Sequence, residues 1–267
     1  MTPLVDPEVY LARMARPLQE KLKVAQFISP GAKNILDVGC ADGVVTCALA
    51  EMFPHAQFLG IDLDANFVVQ ARERARLMGN ARFYRLYLRE LLAKKQKYDT
   101  VLFVSVLHEF FSYGEGISSV LKALCDAREL LVKGGDIVIR DMVLFDYAYS
   151  TTYQVEEMLK KVRRYGDTLK LLQDFEHCFG PVRTLASLNH FLLKYLYPEN
   201  WERECCENYI PVTFEQYASA FELLGMEVIH QRSYLLPYLK DKWQKDFGFS
   251  EDEMSDLKST GFIVART

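Results

Sequence analysis

The feature that most narrows the fold is the stretch Asn34-Ile35-Leu36-Asp37-Val38-Gly39-Cys40-Ala41-Asp42-Gly43. The apolar run over 34–38 predicts a short buried strand, and the glycines predict a tight turn. Val45, Leu49 and Met52 then mark one face of a helix that Pro54 stops. Strand, Gly-containing turn and helix in that order begin a parallel βαβ unit, and a sheet of such units forms its ligand crevice beyond the carboxyl ends of the strands. Gly39 and Gly43 suit that place because a residue without a side chain permits tight backbone conformations and close approach of a ligand. The helix behind them offers unpaired N–H groups to polar ligand atoms.

The same order of elements repeats along the chain. A second buried strand is predicted over 57–61 and a helix over 65–78, with Asp64 as its N-cap and Gly79 as its C-terminal cap. A third strand is predicted over 81–86, a valine-rich fourth over 98–107 and a helix over 118–131. Lys133-Gly134-Gly135 then turns the chain into a fifth strand over 137–141. Strands alternating with helices call for an α/β fold whose mostly parallel sheet is covered on both faces. Two N-terminal helices precede it, one capped by Asp6 with Pro7 at its first position, the other opened by Pro17 and running through Leu18, Leu22 and Ala25. After residue 212 the pattern resumes with a helix over 213–224 and strands over 226–234 and 261–265. The reading is therefore one domain: an N-terminal extension over 1–32, a ligand-binding core over 33–144, a helical insertion over 145–212 and a completion of the sheet over 213–267. An insertion of that length calls for a job of its own, and a lid that covers a substrate and excludes water is the expectation.

Asp62 ends the second strand, 19 residues beyond Gly43. A carboxylate there can accept both hydroxyls of a ribose, so a nucleoside is the implied ligand. On these residues the chain resembles the class I S-adenosylmethionine-dependent methyltransferases: "ILDVGCADG" and, further on, "FLGIDLD" look like that family's first two motifs. The resemblance covers about residues 33–141, and the elements after 212 resemble the family's closing antiparallel edge. It implies a Rossmann-like, seven-stranded sheet and S-adenosylmethionine as methyl donor, leaving S-adenosylhomocysteine as product. It also implies that Gly39 and Gly43 pass the methionine part of the donor, that Asp37 approaches the same end and that Asp62 holds the ribose. Cys40, Leu63 and Ser105 would line the same site. Two positions depart from the family pattern. Ala41 stands where a middle glycine is usual, and Tyr87 or Leu88 stands where an acid often meets the adenine amine. The rival reading, a nicotinamide-dependent oxidoreductase, needs Gly-x-Gly-x-x-Gly, whereas this chain alternates acid, glycine, alanine and glycine.

Methyl transfer requires alignment and, for a hydroxyl or a protonated amine, removal of a proton. His108 and Glu109, after the fourth strand, are the candidate catalytic pair, with His108 the expected proton acceptor because an imidazole titrates in the useful range. Arg140 and Asp141 end the fifth strand and point to opposite sides, one toward the acceptor and the other toward a supporting loop. Trp201 and Tyr209 of the insertion complete the expected acceptor site.

The expected acceptor is a small molecule, methylated at oxygen or nitrogen. A formal net charge of -4 and a pI near 5.8 give no overall attraction to phosphates or to an anionic membrane. An RNA acceptor is the alternative, held by Lys160, Lys161, Arg163, Arg164 and the aromatics of the insertion. Residues 145–212 nevertheless carry 8 Lys plus Arg against 10 Asp plus Glu. A third reading is a non-catalytic partner that keeps the fold and the cofactor. The start of the chain lacks the basic and apolar stretches of a secretory signal, and the apolar run around 101–111 is too short for a bilayer, so a cytoplasmic protein is expected. Neither cysteine nor histidine spacing suggests a metal site.

Overall fold

The structure, a computed structural model, describes residues 18–166 and 168–267. The expected first helix at Asp6–Glu8 lies outside the described residues. The second begins as α1 (Leu18–Lys21) and tightens into a 3-10 turn over Leu22–Phe27. Seven strands follow: β1 (Asn34–Val38), β2 (Gln57–Asp62), β3 (Ala81–Arg85), β4 (Tyr98–Val104), β5 (Leu131–Asp141), β6 (Glu227–Tyr234) and β7 (Thr260–Arg266). They form one sheet in the order β3-β2-β1-β4-β5-β7-β6. Only β7 runs against its neighbours, and it lies inside the sheet between β5 and β6. The outermost strand on that side, β6, alternates between exposed and half-buried residues, as one covered face requires.

Period-two alternation divides the sheet's side chains between two cores. Leu36, Val101, Phe103, Ile137, Ile139 and Ile263 face α5 (Ile117–Leu130) and α11 (Phe214–Leu223), as well as the 3-10 turn Leu88–Lys94. Ile35, Leu102, Val104, Val138, Phe262 and Val264 face α2 (Val44–Met52), α3 (Ala65–Arg74) and the N-terminal turn. Central strands buried on both faces read as unbroken apolar runs, which is why β4 was the strongest strand in the sequence.

Three expected boundaries shift. Lys133, Gly134 and Gly135 lie within β5, where its pairing with β4 slips register, so they form an irregularity in the strand rather than a turn before it. Helix α3 stops at Arg74, capped through the Ala75 N–H, and a further turn closes at Met78; Gly79 is not its cap. Strand β4 ends at Val104 because Ser105 adopts a left-handed backbone at φ 58°. The chain then enters α4 (Leu107–Tyr113), so His108 and Glu109 sit in the first turn of a helix.

The segment between β5 and α11 folds as α6 (Tyr147–Ser150), α7 (Val155–Val162), α8 (Thr168–Phe179), α9 (Leu185–Lys194) and α10 (Trp201–Glu204). These helices share a third apolar core with α12 (Pro237–Phe247) and α13 (Glu251–Met254), which connect β6 to β7. Trp243, fully buried, is its largest side chain. The insertion is thus braced by a second excursion from the sheet that the periodicity of the sequence had not singled out.

Candidate active site

The strand order reverses between β1 and β4, where a doubly wound sheet opens its crevice. A cavity of 260 Å³ lies there, lined by Val38, Gly39, Asp62, Leu63, Tyr87, Leu88, Val106, Glu109 and Phe110, among others. Gly39 adopts φ +72°, and a Cβ on it would meet Val106 Cγ2 at 2.3 Å. Gly43, at φ +75°, faces away from the cavity, where a Cβ would strike Ala71 and Phe83. The left-handed backbone and the close helix-to-sheet packing both require glycine there. Ala41 takes the same left-handed backbone at φ 46°, which costs a side-chain-bearing residue about 1–2 kcal/mol.

Asp62 fixes the loop. Its Oδ2 accepts the Ala41 N–H at 2.8 Å and its Oδ1 accepts the Asp64 N–H at 2.9 Å. A carboxylate has about four acceptor sites, so capacity remains toward the cavity. Asp64 caps α3 by accepting the Asn66 and Phe67 N–H groups, as the sequence indicated. Asp37 lies buried beneath the loop. Thr46 Oγ1 donates to its Oδ2 at 2.6 Å, while Oδ1 has no partner among the described residues. Burial pushes this carboxyl up to about 6, against the lowering effect of the Thr46 bond.

A second cavity, of 120 Å³, adjoins the first, and Glu109 lines both. Its walls come from four parts of the chain. Lys21 belongs to the N-terminal segment. Ser105, His108, Arg140 and Thr260 come from strand ends and α4, Glu204, Glu207 and Tyr209 from the insertion, and Leu236 and Leu239 from the β6–β7 excursion. Arg140 and Asp141 do point to opposite faces. Asp141 Oδ1 lies 2.8 Å from His108 Nδ1, and its Oδ2 accepts the His108 backbone N–H at 3.2 Å. Arg140 reaches the other way, donating to Ser105 Oγ at 2.7 Å and toward Thr260 Oγ1 at 3.5 Å.

These neighbours set the charge states. Burial alone would lower the His108 imidazole, but Asp141, through its charge and its hydrogen bond, and then Glu109 and Glu207, push it up to about 9. Asp141 thus favours the protonated form of the His108 ring, which as a free imidazole would titrate lower. Burial raises Glu109 to about 7, with His108 and Arg203 opposing and Glu207 assisting. Arg203 lies 3.4 Å from Glu109 Oε1 and 2.7 Å from Glu207 Oε1, and Tyr113 donates to Glu207 at 2.7 Å. Lys194, fully buried, donates to the Glu204 carbonyl and carboxylate and lies 3.6 Å from the Tyr209 ring centroid.

The expected residues therefore divide. Gly39, Asp62, Leu63, Tyr87 and Leu88 line the first cavity. Ser105, expected there, lines the second together with His108, Arg140 and Tyr209. Asp37, Cys40, Ala41 and Gly43 shape the loop without lining the first cavity, and Cys40 is a buried thiol that burial pushes well up. Trp201 packs on the third core and lines neither cavity. Lys21, Arg203, Glu204, Glu207 and Thr260 were not anticipated. Only the charge-dense run Glu202-Arg203-Glu204-Cys205-Cys206-Glu207 beside buried aromatics offered a signal, and Lys21 offered none.

Comparison with known proteins agrees with this geometry. A methyltransferase-domain profile matches residues 30–204. A trans-aconitate 2-methyltransferase of Rhodopseudomonas palustris is 39% identical over 59 residues, 22% of either chain. A protein of Synechococcus is 32% identical over 97 residues, 35% of this chain and 23% of its own. These matches thus span less than a quarter of the curated relatives' length. An O-methyltransferase family protein of Burkholderia thailandensis superposes with a TM-score of 0.56 at 14% identity, over 97% of this chain and 58% of that one. The YcgJ protein of Bacillus subtilis superposes at 0.55 and 12% identity, over 93% and 97%. At such identities the superpositions establish the fold, and with the domain match over most of the sequence they place this chain in the class I S-adenosylmethionine-dependent methyltransferase family.

Proposed function

We propose that the protein binds S-adenosylmethionine in the first cavity and methylates a small molecule, at oxygen or nitrogen, held in the second. The observation that carries this reading is the meeting of two unlike cavities at Glu109: one mainly apolar with a single loop-fixing carboxylate, the other small and lined by paired charges. The residues fit the donor. Asp62 keeps acceptor capacity for ribose hydroxyls, Tyr87 and Leu88 offer apolar surface for a base, and the unpartnered Asp37 Oδ1 awaits a donor or cation near Gly39. Bound there, the cofactor supplies an electrophilic methyl group on a sulfonium sulfur.

Glu109, raised to about 7, is placed to take the acceptor's proton, since a base works best when its pKa lies near the working pH. His108, kept cationic by Asp141, orients the acceptor as a hydrogen-bond donor. The helical insertion closes over the acceptor and excludes water. An RNA acceptor is disfavoured because Lys160, Lys161 and Arg163 are engaged by Glu157, Glu253 and Glu156.

Calorimetry with S-adenosylhomocysteine tests the donor half of the reading; no affinity on folded protein would end it. Glu109→Gln tests the chemistry. Turnover should fall on the order of a hundredfold or more and lose the acidic limb of its pH profile, and retention of both would pass the role of base to another group.

A further inference from the structure

The second cavity contains two buried cations that form no salt bridge with an acid among the described residues, although Glu20 and Asp141 act on Arg140 at longer range. Lys21 is 7% exposed and Arg140 is 4% exposed, and both line the cavity. The other charges around this space are matched: His108 with Asp141, Lys194 with Glu204, and Arg203 with Glu207 and Glu109. Among the described residues the Arg140 side chain hydrogen-bonds to hydroxyls alone, those of Ser105 and Thr260, and its Nε has no partner. A guanidinium has five N–H donors, so most of its capacity is unused. Lys21 has no side-chain hydrogen bond or ion pair among the described residues, yet its helix buries it at the cavity wall. Burial first, and the Arg140 charge second, pull its ammonium down to about 8, against upward pulls from Asp37, Asp42 and Asp141.

Burial of a cation without a directly paired acid is costly, and two like charges on one small cavity compound the cost. A protein can carry such a pair where a ligand supplies the missing anion. We propose that Lys21 and Arg140 together bind a carboxylate, making the acceptor a small carboxylic acid anchored by that group. The inference rests on the second cavity being the acceptor site. A carboxylate suits the pair because a guanidinium fork and a planar carboxylate match in geometry, and an ammonium adds a point charge. The Ser105 and Thr260 hydroxyls, already oriented by Arg140, hold that fork in place. A volume of 120 Å³ limits the acid to a few carbons or one ring. Glu109 and His108, the latter paired with Asp141, line the same cavity and are available to the remainder of the molecule. The carboxylate is thus the anchor and not the atom methylated.

The test uses the full chain and three probes, succinate, malonate and benzoate, each set against its uncharged amide, with inorganic phosphate as a further arm. At least one acid should bind by calorimetry where its amide does not. Lys21→Met should weaken that acid about tenfold or more, with Lys21→Arg restoring most of it. Affinity for S-adenosylhomocysteine should stay within about twofold in both variants. Arg140→Gln is the companion variant, but Arg140 is a strand residue, so Lys21→Met carries the test if that protein fails to fold. Binding of phosphate in preference to every acid, equal binding of acids and amides, or an unchanged affinity in Lys21→Met would each overturn the proposal. Failure of the wild-type chain to bind S-adenosylhomocysteine would count against the methyl-donor reading alone and leave the carboxylate result interpretable.

Discussion

The two cavities that meet at Glu109 are built on different principles. The first lies against the sheet, its walls are mostly apolar, and its loop is fixed by Asp62 at the end of β2, with Asp37 of β1 buried beneath it. The second is assembled from the N-terminal segment, strand ends, the insertion and the β6–β7 excursion, and it gathers buried charges from all of them. A site made by consecutive elements needs only local geometry to form. A site drawn from four distant segments exists only when all of them pack, and its charges hold one another in place.

The largest test of this contrast is the buried pair beneath Tyr209. Lys194→Met leaves Glu204 buried without its cation, which should cost about 3–5 kcal/mol in urea unfolding. The loss should be confined to the third core. A parallel fall in donor affinity would show that the two regions are not separable. Next comes Asp141→Asn, read as stability against pH. His108 is raised in the fold, so its pairing stabilises fully below its ordinary value and fades as pH climbs to about 9. The variant should lose on the order of 3 kcal/mol near pH 6, and it should be much closer to wild type above pH 9. A pH-independent loss would assign Asp141 a purely packing role.

Asp62→Ala addresses the first cavity alone. Loss of a charge-assisted acceptor should weaken S-adenosylhomocysteine by about 1.5–3 kcal/mol, or roughly ten- to a hundredfold, with binding in the second cavity spared. Unchanged donor affinity would remove Asp62 from the ribose. The smallest effect belongs to Ala41→Gly. Relief of the left-handed backbone at φ 46° should stabilise the loop by about 1 kcal/mol or less, after the added freedom of the unfolded chain is subtracted. A marked destabilisation by thermal melting would mean that the Ala41 methyl group has a packing role.

Much of the first region was legible in the sequence because its signals are local. The alternation of β1 and β2, the glycines between strand and helix, the Asp64 cap and the carboxylate at the tip of β2 all act within a few residues of one another. Even there the reason for Gly43 was hidden, since its neighbours Ala71 and Phe83 arrive from elsewhere in the chain. The two strands after residue 212 were expected to close the antiparallel edge of the sheet, as they do, and strand pairing sets their order, with β7 inside β6.

By itself, then, the sequence determined the parallel sheet and the crevice at its carboxyl edge, because hydrophobic period and turn chemistry are properties of neighbouring residues. Tertiary structure alone decided that His108 pairs with Asp141, that Ser105 turns to the second cavity, that Trp201 belongs to a core, and that Lys21 comes to lie with Arg140. The physical reason is that a charge state and a buried cavity depend on every group within a few ångströms in space. For the second cavity, those groups are up to 239 positions apart, from Lys21 to Thr260 (260 minus 21).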